Sequence, residues 1–180
     1  MIKKDFVIPI FLLLIFSVLS CSQSDATIYG KWKLNKEKST DLVTWRYRQL
    51  EMEIQNKDGK IFMINKWKSR RAGDWVDSLS FQTNGDTCKI LVTSPIWQEN
   101  WYMGVLSKPN TYKTVVARWE EPNRKLVTKT EQIVEISQGE NKIMTTRTFY
   151  LNGKGDELIV VEKRSSRPTE IKLVFDRVAE

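Results

Sequence analysis

Histidine is absent from all 180 residues. Without it there is no His-based catalytic triad, no His-ligated zinc and no proximal-His haem. Cysteine is scarce too: Cys21 and Cys88 are the only two. A disulfide framework is excluded, and a lone Cys88 with no imidazole to activate it reads as a core thiol. No Gly-rich phosphate loop and no metal-ligand spacing occur. Glu120 and Glu121 are adjacent, so on a strand they point to opposite faces. Glu51 and Glu53 share a face, but it lies opposite Leu50, Met52 and Ile54 and so faces solvent. These absences predict a non-enzyme with no cofactor and no metal. Helical periodicity is nearly missing as well.

What is present starts at the N-terminus. Met1–Asp5 carries Lys3 and Lys4, and residues 6–19 are apolar apart from Pro9 and Ser17. The run is shorter than the roughly 20 residues of a membrane-spanning helix. It ends in Val18-Leu19-Ser20-Cys21, which resembles the bacterial lipobox. That resemblance implies diacylglycerol attachment at Cys21 and cleavage just before it. The expected organisation is a lipoprotein signal over 1–20, a polar tether over 21–28 and one domain over 29–180. An ordinary signal peptide with Cys21 incidental is the alternative. The expected location is the cell envelope, held to the membrane through Cys21, with the outer membrane favoured in a Gram-negative cell.

The mature chain is basic. The net charge of +7 drops by one, to about +6, when Lys3, Lys4 and Asp5 leave. That excess could attract anionic lipid or acidic ligands, but Lys and Arg are interleaved with Glu and Asp, which favours a solvated surface, and a lipid-anchored envelope location argues against nucleic acid. No nucleic-acid partner is expected, and no protein partner can be named.

From Tyr29 the sequence alternates with period two between turn residues, which predicts strands. They are expected over 29–34, 49–55, 60–68, 74–81, 86–93, 112–120, 125–136, 142–151, 157–163 and 170–178. Asp58-Gly59 and Asn84-Gly85 are hairpin signals, because both tolerate positive φ. A short helix is the one departure, over 38–47. A meander of this kind closes on itself or leaves two exposed edges. The expected fold is therefore all-β, an antiparallel up-and-down barrel of about 8–10 strands; a β-sandwich is the alternative.

Gly30-Lys31-Trp32 resembles the first strand of lipocalin-like (calycin) barrels, and Gly30–Ser39 resembles the opening of a group of small secreted bacterial barrels. The resemblance implies that Gly30 lets the backbone bend, Trp32 plugs the closed end, and a late basic residue, here Arg177, packs over the indole.

Such a barrel can hold one small ligand. Alternation puts Tyr112, Thr114, Val116 and Arg118 on one face, and Ile143, Thr145, Arg147, Phe149 and Leu151 on another. Leu158, Val160, Glu162 and Arg164 share a third. Candidate ligand contacts are Trp67, Trp75, Tyr112, Arg118, Arg147 and Phe149. Arg118 and Arg147 either meet a ligand carboxylate or pair with Glu or Asp across strands. The aromatic stretch from Pro95 to Gly104 reads as a mouth loop or as an irregular core strand. The expected function is binding or shuttling a small hydrophobic or amphipathic ligand. The alternative is a structural or interaction module of the envelope acting through its outer surface.

Overall fold

The structure is a computed structural model that describes residues 26–40, 47–69, 74–93 and 106–179. Every element in it is a strand: β1 (Gly30–Asn35), β2 (Tyr47–Lys57), β3 (Lys60–Ser69), β4 (Asp74–Gln82), β5 (Asn84–Leu91), β6 (Leu106–Ser107), β7 (Tyr112–Glu121), β8 (Lys125–Ile136), β9 (Gly139–Leu151), β10 (Glu157–Arg164) and β11 (Ile171–Arg177). All ladders are antiparallel, in the order β4-β3-β2-β1-β11-β10-β9-β8-β7-β5, with β6 beside the end of β8. The first and last strands of the chain pair, Trp32 opposite Arg177. That pairing curls the meander into a nearly closed up-and-down barrel.

Alternation sets which side chains fill it. Leu50, Met52 and Ile54 on β2 are buried, as are Leu158 and Val160 on β10. Neighbouring strands bring these residues side by side in one apolar core that also holds Trp32, Phe149 and Phe175. At Asp58-Gly59, φ is 52° and 75°, and Lys57 pairs with Lys60. This is the tight hairpin expected there.

Three expectations change. Asn84-Gly85 is not a hairpin. Asn84 already belongs to β5, and β5 pairs with β7 through a register shift between Asn84 and Thr87. No ladder joins β4 to β5 among the described residues, so the barrel's seam falls there. Gly85 is used differently: its φ is +89°, and an added Cβ would stand 2.5 Å from Nε of Arg118. The short helix is not seen in its described part, since a turn ends at Lys38, Ser39 and Thr40 are irregular and Tyr47 is already strand. Residues 41–46 lie outside the described residues. The strand count is eleven rather than 8–10, because β6 is only two residues long and carries no periodic signal.

Residues 36–40 run on along β11. The Thr40 amide donates to the Lys172 carbonyl, and Ser39 Oγ accepts from the Val174 amide at 3.0 Å. This contact buries Val174, although it lies on the outer face of its strand.

Candidate functional site

The barrel has two unlike ends. At one, Trp32 is fully buried and its indole donates to the Ile28 carbonyl at 2.9 Å. The Arg177 guanidinium lies 4.1 Å from the centre of the Trp32 ring. It also donates to the carbonyls of Thr27 (2.7 Å), Tyr29 (3.0 Å) and Gly155 (3.3 Å). Burial pulls this guanidinium below the ordinary arginine value, and the three carbonyls and the indole face favour the charge in return. Gly30 takes φ +129°, and a Cβ there would lie 2.9 Å from Arg177 Nη1. Gly30, Trp32 and Arg177 thus meet at one closed end.

Toward the other end the inner wall turns polar. Thr128, Arg147 and Glu162 stand opposite one another in adjacent strands, with Thr130, Thr145 and Arg164 as the next row. Glu162 is the centre of this belt, with its side chain wholly buried. Its Oε2 accepts from Arg147 Nε at 2.7 Å and Nη2 at 2.6 Å. Its Oε1 accepts from Arg164 Nε. A carboxylate with two guanidiniums is the arrangement a buried ion pair needs, because lone charges are costly to desolvate. Gln132 donates to Ser107 at 3.4 Å nearby. Above the belt, Val134 and Ile143 form a small apolar cluster of their own.

On the opposite wall Asn65 and Asp77 face inward as neighbours in the β3–β4 ladder. Lys113 Nζ lies 3.9 Å from Asp77 Oδ2, and both side chains are mostly buried, 11% and 15% exposed.

Between these walls lies a cavity of about 30 Å³ lined by Met52, Met63, Trp67, Arg147, Phe149 and Phe175, among others. That is room for a water molecule or two. Binding pockets for small molecules run to roughly 300–1,000 Å³.

The expected contact residues therefore separate. Trp67, Arg147 and Phe149 line the cavity. Trp75 stands opposite Trp67 in the β3–β4 ladder. Tyr112 and Arg118 do not join them: Tyr112 is 59% exposed and Arg118 lies on the outside. β7 presents Lys113, Val115 and Ala117 inward instead. The apolar look of Tyr112 and Val116 favoured the wrong face, and the ion pair with Asp77 lets Lys113 occupy the right one. Arg147 meets a protein carboxylate, Glu162, in the cross-strand pairing that is the alternative to a ligand carboxylate. Sequence reasoning missed Asp77 and Lys113. The available signal was Asp77 standing two and four residues before the core positions Leu79 and Phe81. Cys21, Trp97, Trp101 and Tyr102 lie outside the described residues.

Among the described residues no group of His, Cys, Asp and Glu could hold a metal ion, and no helix is long and apolar enough to cross a membrane.

No protein-family model matches the chain, and no curated protein does. Among solved structures it is similar to secretory abundant heat soluble protein 4 from Ramazzottius varieornatus, at 13% identity, over 87% of this chain and 98% of that one, with a TM-score of 0.49. It is also similar to the fatty-acid-binding protein of Manduca sexta, at 10% identity, over 82% and 98%, with a TM-score of 0.47.

Proposed function

We propose that this is a non-enzymatic binding module of the bacterial cell envelope, tethered through lipid on Cys21, that takes up a small amphipathic ligand. The observation that carries the reading is the zoned interior. An apolar base runs up into a belt where Arg147, Arg164 and Lys113 outnumber Glu162 and Asp77. An apolar tail suits the first zone, and an acidic head suits the second. The cavity among the described residues is far below the size of such a ligand, so uptake there requires side chains to yield. Met52 and Met63 line the cavity and are the adaptable kind. Native mass spectrometry of full-length protein extracted from its own membranes tests the reading. A co-purifying small molecule that is lost in Met63→Trp supports it; a ligand-free spectrum under gentle extraction opposes it. Cys21→Ser should release the domain in soluble form, and a variant that stays on the membrane refutes the anchor.

One observation favours a second reading. The cavity among the described residues has room for only a water molecule or two, and Glu162 and Asp77 each meet a basic side chain of the chain, as in a structural core. A structural or interaction module working through its outer surface would look this way, and it predicts no ligand at all.

A further inference from the structure

We propose that the seam between β4 and β5 is the doorway to the interior, and that the Asp77–Lys113 ion pair is its latch. The inference rests on the ligand reading and concerns how that site is entered.

Among the described residues the sheet is joined by ladders everywhere except between β4 and β5. Separating two strands that share no hydrogen bonds leaves the ladders on either side intact, whereas parting any other neighbouring strands breaks a row of them. The seam is also the thinnest part of the packing. Inward residues Cys88 and Ile90 of β5 are only half-buried, while Leu158, Val160, Leu173 and Phe175 on the opposite wall are buried. The cavity reaches the seam directly, since Asp77 on the edge strand is one of its lining residues.

An ion pair spans this gap. Lys113 projects inward from β7 and reaches past β5 to Asp77 on β4. At 3.9 Å the pair is in contact without the short bidentate geometry of Arg147 and Glu162. A loose, mostly desolvated pair of this kind holds two elements together and can still part. An inward charge also discourages a foreign strand from adding to the β4 edge.

The test is access to an interior thiol, which needs no ligand. Met63 is 3% exposed and lines the cavity. Full-length protein carrying Met63→Cys and Cys88→Ser is treated with iodoacetamide, and the labelling rate is followed by mass. Asp77→Asn and Lys113→Met should each speed labelling several-fold. The reversed pair, Asp77→Lys with Lys113→Asp, should return it toward the slow rate. Equal rates in all these proteins overturn the proposal. So does fast labelling that the reversed pair fails to slow, because that is general destabilisation. A second arm follows uptake of the anionic fluorophore anilinonaphthalene sulfonate by stopped flow. Labelling that tracks the pair while the fluorophore never enters keeps the seam and sinks the ligand reading. Labelling that ignores the pair while the fluorophore enters does the reverse.

Discussion

The closed end of this barrel and the end opposite it are held by different physics. At the closed end the connections are short: Asp58-Gly59, Thr83, Pro122–Arg124 and Asn152–Asp156. They are tied down by local bonds. Asn152 Oδ1 accepts from the Gly155 amide at 2.8 Å, and its Nδ2 donates to Asp156 at 2.7 Å. Tyr29 donates to Asn123 at 2.8 Å and meets Trp119 edge to face. Beneath them the filling is apolar and dominated by Trp32. The opposite end has the longer described connection, 165–170, and its inner wall is charged. Packing is tolerant of solvent conditions and intolerant of lost volume. A buried ion network is the reverse, because removing one member strands the others. The contrast teaches that one fold can rest on apolar packing at its base and on buried charge farther along the same strands.

Substitutions can break or sharpen that contrast. The largest effects fall one at each end. Glu162→Ala leaves Arg147 and Arg164 buried without their carboxylate and should cost about 3–5 kcal/mol. Trp32→Ala empties the plug and should cost a similar 3–5 kcal/mol or so. Urea unfolding gives both totals, and amide exchange separates them. Glu162→Ala should release β9 and β10 first, whereas Trp32→Ala should lower protection across β1, β2 and β11. The same pattern from both would erase the distinction between the ends.

Arg177→Met should cost about 1–2 kcal/mol, the sum of a ring contact and carbonyl bonds that are partly replaced by water. Tyr112→Ala and Arg118→Ala should each stay within about 0.5 kcal/mol, as exposed positions do. A large loss at either would mean that β7 presents its other face inward.

The smallest effect is electrostatic. A hydrogen bond to Glu157 raises the Lys38 pKa above its ordinary 10.5, with Asp176 adding to it. A raised basic pKa gives stability that is complete below the ordinary value and lost as pH rises through the folded one. The stability gap between wild type and Lys38→Met should therefore be steady at neutral pH and close in strong alkali. A gap that persists there would show that Lys38 contributes by packing.

Much of the barrel was legible because alternation and turn residues are local. β8 runs over Lys125–Ile136, as its pattern predicts, and Asp58-Gly59 forms its hairpin. The seam was not legible, because no residue type marks a missing ladder. Asn84-Gly85 reads the same whether the next strand folds back or departs. The face of β7 misled for a related reason. Tyr112, Thr114 and Val116 look as suited to a core as Lys113, Val115 and Ala117 do, and only Asp77, 36 positions earlier in the chain, decides between them. The small cavity was out of reach altogether, since alternation fixes direction and says nothing of volume.

The point where the chain enters the barrel has a consequence for orientation. Ile28 hydrogen-bonds to Asn123 at the base, so any anchor on Cys21 pulls on the base. The few residues between Cys21 and Ala26 extend roughly 17 Å at most. β8 spans twelve residues, which at about 3.3 Å each and a typical barrel tilt gives a height of roughly 30 Å. A molecule so tethered stands like a cup on its foot. Its rim faces the aqueous compartment, and its side seam runs upright between the two. Entry through that seam would then lie along the wall, within reach of the foot as well as of the rim.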